Sequence, residues 1–322
     1  MQDEKEKTLF IYEDIKAEPK AIKAKKINAY LMDAEPVFIE RMQKAISDVP
    51  KMCFGNMAAD GGHLIIEENE YDDFIKAEPQ AKRFIRKFLG ANEFINNKKR
   101  YCLWLVDAKP EELKACPKIM ERIAKVKEHR EKSKREATQK LSRFPSLFGE
   151  IRHPKNGNYL LIPAVSSERR EYIPMGFIDC SNISSDANLI IPHATLYHFG
   201  ILTSRMHMAW MRATAGRLKS DYRYSKDVVY NNFPFPNASK AQEEAIAQKA
   251  EAVLEARAKY PHSSLADLYD PLTMPKELAK AHKELDATVD RLYRKAPFKD
   301  DGERVSFLFE IYKELTLNLS IK

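Results

Sequence analysis

Between Gly216 and Pro236 the chain reads GRLKSDYRYSKDVVYNNFPFP, with basic, acidic and aromatic side chains interleaved a few residues apart. Lys219 and Asp221 stand two positions from each other. In an extended backbone, residues i and i+2 face the same side. A lysine donates to guanine O6 and N7, and an aspartate accepts from the cytosine N4 amino group. The pair therefore has the chemistry to read one G·C base pair. The competing reading is a solvated ion pair on a hairpin edge, and charge pattern alone does not separate the two.

The elements around the pair must position it. Upstream, HATLYHFGILTSRMHMAWMRATAG places Leu196, Phe199, Leu202, Met206 and Trp210 at spacings of three and four. This predicts one helix closing at a Gly216 C-cap and delivering the chain to Lys219. Its Phe199, Met206 and Trp210 stripe suits a core better than a base-stacking surface. YLLIPAV (159–165), YIPMGFI (172–178) and NLIIP (188–192) read as strands, with SSERRE on a turn between the first two. Phe84 and Phe88, at i and i+4 in QAKRFIRKFL, predict a helix stopped by Gly90, and YCLWLVD (101–107) reads as a buried strand.

Residues 110–141 predict a helix or helix pair, with Pro110 at the start and Glu111 and Glu112 in the first turn. Nine Lys or Arg residues between 121 and 143 face four glutamates, so the segment either tracks phosphates or forms a solvated helix face. Residues 1–50, interrupted by Pro19 and Pro36, suit a connector arm with brief strands, preceded by something further. Beyond Pro236, KAQEEAIAQKAEAVLEARAKY, ELAKAHKELDATVDRLYR and RVSFLFEIYKEL predict three helices in a small bundle. The fold class expected is α+β: a mixed domain over 51–237, then a helical domain over 238–322.

Composition sets the outer bounds. A chain of 322 residues with 44% hydrophobic content holds roughly two domains and ample core. Lys and Arg number 54 against 47 acidic residues, a formal charge of +7 that is compatible with a polyanionic partner. Cys53, Cys102, Cys116 and Cys180 are far apart, without CxxC or paired histidine spacing, so a zinc site is not expected and the thiols are expected to be reduced. The first residues lack an apolar signal region, and no apolar run approaches the roughly 18 residues of a membrane span. A cytoplasmic protein without a membrane partner is expected.

Other fragments of catalytic chemistry are weaker. Asp3 or Glu13 with Glu18 and Lys20 imitates a nuclease metal site, but Pro19 intervenes and no apolar strand surrounds it. GNMAADGG (55–62) lacks the GxGxxG spacing, and the strand before it, that a nucleoside loop needs. His63, His153, His193, His198 and His207 have no Ser or Cys partner that spacing singles out.

Several long stretches together resemble the MmeI-like family of single-chain bacterial restriction-modification proteins. They are YEDIKAEPKAIKAKKINAYL, VPKMCFGNMAADGGHLI, IPAVSSERREYIPMGF, LYHFGILTSRMHMAWMRATAGRLKSDYRYS, VVYNNFPFPN and LADLYDPLTMPKELAKAHKELDATVDRLY. The resemblance covers nearly the whole chain. It implies a target recognition domain over 51–237 and a C-terminal helical domain over 238–322, preceded over 1–50 by the tail of an adenine-N6 methyltransferase domain. That domain, with a nuclease, would lie upstream in the parent chain or be encoded separately. The parent enzyme would use S-adenosylmethionine and Mg2+, and its target adenine would flip out of the duplex.

The family's Asn-Pro-Pro-Tyr or Asn-Pro-Pro-Phe motif and its cofactor loop are absent from this sequence, and NNFPFP (231–236) is read as the closing turn of the recognition domain. No cofactor or metal is therefore expected in this chain.

In the resembling family the residues flanking the serine of GRL-x-S-x-YRYS specify one base pair, and here they are Lys219 and Asp221. Arg223, two residues on, becomes a candidate for the next position. The family also places specificity residues where Asp186, Ala187 and Asn188 stand. Arg169 and Arg170 match its pattern for phosphate contact, and Arg217, Tyr222, Tyr224 and Lys226 are candidates for the same task. The resemblance thus implies a duplex DNA recognition module. The alternatives are a catalytically active enzyme, either a metal nuclease or a methyltransferase with unrecognised motifs, and a helical interaction scaffold.

Overall fold

The structure is a computed structural model and describes residues 7–12, 17–33 and 35–320. The chain divides into two discontinuous compact units. One comprises residues 1–49, 195–256 and 276–322, and the other residues 50–194 and 257–275. The fold is α+β, and no helix among the described residues is long and apolar enough to cross a membrane.

The first unit opens with an antiparallel hairpin, β1 (Lys7–Ile11) and β2 (Lys20–Ala24), in which Leu9 faces Ile22. These are the brief strands expected of the arm.

The second unit holds two four-stranded sheets. Its elements run β3 (Cys53–Phe54), β4 (Ile65–Glu67), α1 (Glu68–Ala77), β5 (Ile85–Leu89), α2 (Ala91–Ile95), β6 (Arg100–Leu103), α3 (Pro110–Lys114), α4 (Pro117–Glu131) and α5 (Glu136–Lys140). Then come β7 (Asn158–Pro163), β8 (Val165–Ser166), β9 (Gly176–Asp179), β10 (Ile183–Ser184) and β11 (Asn188–Pro192). One sheet is ordered β10-β5-β6-β4, the other β3-β11-β7-β9. Leu64, Ile66, Phe88, Leu103, Ile119, Ile123 and Val126 pack into the larger core.

Phe84 and Phe88 do not lie on a helix. A 3-10 turn over Pro79–Phe84 runs directly into β5, and both rings are buried. A spacing of four keeps two residues on one face of a strand as well as of a helix, so the pair could not tell the two apart. The helix or helix pair predicted over 110–141 is three pieces, the first break falling where Pro117 can open a helix but not continue one. On α4 the buried stripe runs Ile119, Ile123, Val126, Arg130, ending on a charged residue.

The first unit resumes with α6 (Leu196–Thr203) and α7 (Arg205–Thr214). The single helix expected here is broken at Ser204, whose extended backbone and hydroxyl cap α7 by accepting from His207 N. The apolar periodicity carries across the break because both helices bury that face. Gly216 is not a helix cap: it opens β12 (Gly216–Leu218), which pairs with β13 (Asp221–Arg223).

Helices α8 (Lys240–Ala258), α9 (Leu265–Leu268), α10 (Lys276–Tyr293) and α11 (Asp301–Ser320) complete the chain, α9 within the second unit. The predicted bundle does not stand apart from what precedes it. Trp210 of α7 meets Phe309 and Tyr312 of α11 at 5.6 and 6.0 Å between centroids. A Cβ added at Gly200 of α6 would lie 2.6 Å from Ile246 of α8. Asp301 accepts from Arg205 at 2.7 Å and from Arg212 at 3.1 Å, and Asp290 pairs with Arg304 at 2.5 Å.

Candidate functional site

The candidate residues around position 219 form the tip and flank of a two-residue hairpin. Arg217 faces Tyr222 and Leu218 faces Asp221, leaving Lys219 and Ser220 as the turn. Residues 216–220 are all exposed. Lys219 has φ +57, a left-handed conformation that glycine or asparagine adopts far more readily than lysine. The extended-chain argument therefore does not hold for Lys219, which projects from a turn. It does hold for Asp221 and Arg223, which share one face of β13 with Tyr222 on the other.

Of the four residues here expected to touch the DNA backbone, Tyr222 and Tyr224 are buried and brace this hairpin, while Arg217 is exposed and Lys226 half-buried. Arg217 stacks its guanidinium 3.8 Å from the centroid of the Tyr222 ring and donates to the Ser220 carbonyl at 2.9 Å. Tyr222 is buried beneath it. Tyr224 is also buried, and its hydroxyl lies 2.8 Å from His207 Nε2 on α7. Burial holds the His207 imidazole neutral, with a pKa lowered to about 3, and pushes the Tyr224 phenol well above its usual value. Lys226 pairs with its neighbour Asp227, which also binds Arg41 at 3.2 Å. These interactions account for the tyrosines as interior supports, since a side chain enclosed by its own fold presents no edge to a phosphate.

Downstream, Trp210 Nε1 donates to the Val229 carbonyl at 3.0 Å. The Asn232 amide donates to the carbonyls of Glu40, Asp227 and Val228 at 2.8, 2.9 and 3.1 Å. The NNFPFP segment is thus a structural turn.

In the second unit, Asp186 and Ala187 are exposed on the turn joining β10 to β11. Asn188 is not: it is fully buried, with its amide donating to Leu89 O at 2.8 Å and to Ser184 Oγ at 3.3 Å. Asn188 therefore anchors the turn rather than reading a base. Gly55 and Asn56 hold the same turn from outside it. Gly55 N donates to Asn188 O at 3.0 Å, Asn56 N to Ser184 O at 2.7 Å, and Asp186 N to Asn56 O at 3.0 Å. A Cβ at Gly55 would come within 2.2 Å of the Ser185 carbonyl, so only glycine permits this approach. Gly55 and Asn56, the first two residues of GNMAADGG, which does follow a short strand, are thereby committed to the turn.

Arg169 is exposed on the turn between β8 and β9 and reaches Asp270 at 3.9 Å, while Arg170 beside it is half-buried. Most of the basic 121–143 segment is neutralised within the fold. Lys125, Lys127, Lys132 and Lys140 each pair with a glutamate one helical turn away. Arg122 binds the carbonyls of His63 and Ile65 and the Glu70 carboxylate. Arg130 is fully buried, and its guanidinium makes five hydrogen bonds to the carbonyls of Ala58, Ala59, Leu141, Phe144 and Leu147 at 2.7–3.0 Å.

Of the nuclease fragment, Asp3 and Glu13 lie outside the described residues, and Lys20 is an exposed residue of β2. Among the described residues no group of three or more His, Cys, Asp or Glu side chains is arranged to hold a metal ion. Sequence reasoning missed Gly55, Asn56, Arg130 and His207 as supports. The signal for His207 is a polar residue inside an apolar run, and for Arg130 its place at helical spacing after Ile119, Ile123 and Val126.

Known proteins share this arrangement. The family model described as MmeI, target recognition domain, matches residues 33–237, and that described as MmeI, C-terminal domain, matches residues 238–320. DNA methyltransferase A of Bacillus subtilis (strain 168) is 44% identical over 290 residues, covering 90% of this chain and 33% of that protein. A solved structure of the Type IIL restriction-modification enzyme MmeI in complex with DNA matches with a TM-score of 0.91 and 46% identity, over 97% of this chain and 42% of that one. The chain thus spans a third of the curated relative's length and less than half of the solved chain's.

Proposed function

Because this chain belongs to the MmeI family and carries its target recognition and C-terminal domains, we propose that it is the duplex DNA reader of a restriction-modification adenine-N6 methyltransferase. The observation that carries this reading is the braced hairpin. The turn and β12 are exposed, and a β-hairpin is narrow enough to enter a major groove. Its tip offers one donor, Lys219, and its flank one acceptor, Asp221, against guanine and cytosine respectively. Arg223 on the same face addresses the neighbouring base pair. Asp186 and Ala187 contribute from their own turn, and Arg169 and Arg170 set the register through phosphates.

Methyl transfer and cleavage belong, on this reading, to parts of the parent protein other than these residues. S-adenosylmethionine and Mg2+ are their cofactors, and these residues choose the site.

The test is selection from a randomised duplex pool with the chain and with a double variant carrying Lys219→Glu and Asp221→Arg. The exchange should alter preference at one G·C position by roughly 1 to 3 kcal/mol and leave other positions unchanged. Equal weakening of all sequences with a smaller salt slope would make these residues phosphate contacts and sink the base-reading assignment. Adenine methylation by the chain alone with S-adenosylmethionine would favour the catalytic alternative.

A further inference from the structure

Once the internal pairs of the basic 121–143 segment are assigned, three of its nine cations remain: Lys134, Arg135 and Arg143. All three are exposed and have no ion-pair partner among the described residues. Lys134 and Arg135 lead into α5, and Arg143 ends the 3-10 turn Leu141–Arg143 that follows it, so all three belong to one lobe of the chain. That lobe is fixed from beneath by the buried Arg130, which binds the carbonyls of Leu141, Phe144 and Leu147, and at its entry by Gln139 Nε2 donating to Ser133 O at 2.8 Å. Beside Arg143 the lobe holds Phe144 with 61% of its surface exposed. A fully satisfied buried guanidinium is an expensive way to shape a surface loop, and here it displays an aromatic ring among unpaired cations.

We propose that this lobe is a second DNA contact. Lys134, Arg135 and Arg143 neutralise backbone phosphates, and the Phe144 ring packs on the deoxyribose between them. The proposal rests on the chain being a duplex DNA reader. It adds a sequence-independent anchor on the second unit, separate from the base-reading hairpin.

The experiment measures duplex affinity as a function of salt for three proteins. The wild-type chain sets the reference slope of log K against log salt. The triple variant Lys134→Gln, Arg135→Gln, Arg143→Gln should lower that slope by roughly two to three, about 0.9 for each phosphate released, without altering the selected sequence. A control carrying Lys125→Gln, Lys127→Gln and Lys132→Gln loses the same charge from positions already paired and should keep the wild-type slope. Phe144→Ala should weaken binding several-fold at unchanged slope. Equal slopes in the triple variant and the wild type would overturn the anchor while leaving the hairpin reading intact. Failure of the wild type to bind duplex DNA would overturn both. Because every altered side chain is exposed, loss of folding is not expected, and circular dichroism of each variant checks it.

Discussion

Lys219 carries a backbone conformation that its side chain disfavours. With φ +57 it occupies a position where glycine would relieve roughly 1 kcal/mol of steric cost. Lys219→Gly should therefore raise the unfolding free energy by about 0.5 to 1 kcal/mol, read as a higher urea midpoint, while weakening discrimination at the G·C position proposed for it. Keeping discrimination in that variant would show that another residue reads the base. Arg130 makes the opposite case, a charged residue whose whole role is internal. Arg130→Met keeps the volume of the side chain but leaves five carbonyls without their donor, and should cost roughly 3 kcal/mol or more in chemical denaturation.

At the scale of elements, α7 and the β12–β13 hairpin are joined by the bond between His207 and Tyr224. Tyr224→Phe removes one hydroxyl from a buried pair. It should lower discrimination by the hairpin more than it lowers non-specific affinity, measured by competition between cognate and random duplexes. The same histidine makes stability depend on pH. Its pKa falls from 6.5 in the unfolded chain to about 3 in the fold, because burial penalises the imidazolium. Above pH 6.5 both states are neutral and the contribution is complete. As pH falls below 6.5 the unfolded chain takes up a proton that the folded chain refuses, so stability declines by roughly 1.4 kcal/mol per pH unit until about pH 3. Urea midpoints from pH 7 to 4 should show this slope, and His207→Gln should flatten it.

For the whole molecule, the two units hold one tryptophan each: Trp104 in the second and Trp210 in the first. Phe309→Ala removes the α11 ring packed on Trp210 and should cost about 3 to 5 kcal/mol in the first unit. Denaturation of Trp104→Phe and Trp210→Phe backgrounds should place that loss in the Trp210 signal. An equal shift in both signals would mean that the units unfold together. The boundary at residue 237 that the sequence suggests is where the two family models meet, and it falls inside the first unit. Helices α6 and α7, which lead into the hairpin, share their packing with α8, α10 and α11.

By itself the sequence determined the α+β class, the three long C-terminal helices and the family, because composition, periodicity and motif are local properties. Tertiary structure decided the rest. It broke the predicted helix at Ser204, where a cap replaces one turn without disturbing the apolar stripe. It made Phe84 and Phe88 neighbours across a 3-10 turn and a strand, since a spacing of four serves helix and strand alike. It turned Tyr222, Tyr224 and Asn188 inward and left Asp221, Arg223 and Asp186 accessible. Whether a polar side chain meets water or its own fold depends on residues distant in sequence. Those residues, Gly55 beside Ser185 and His207 beside Tyr224, come together only when the chain closes on itself.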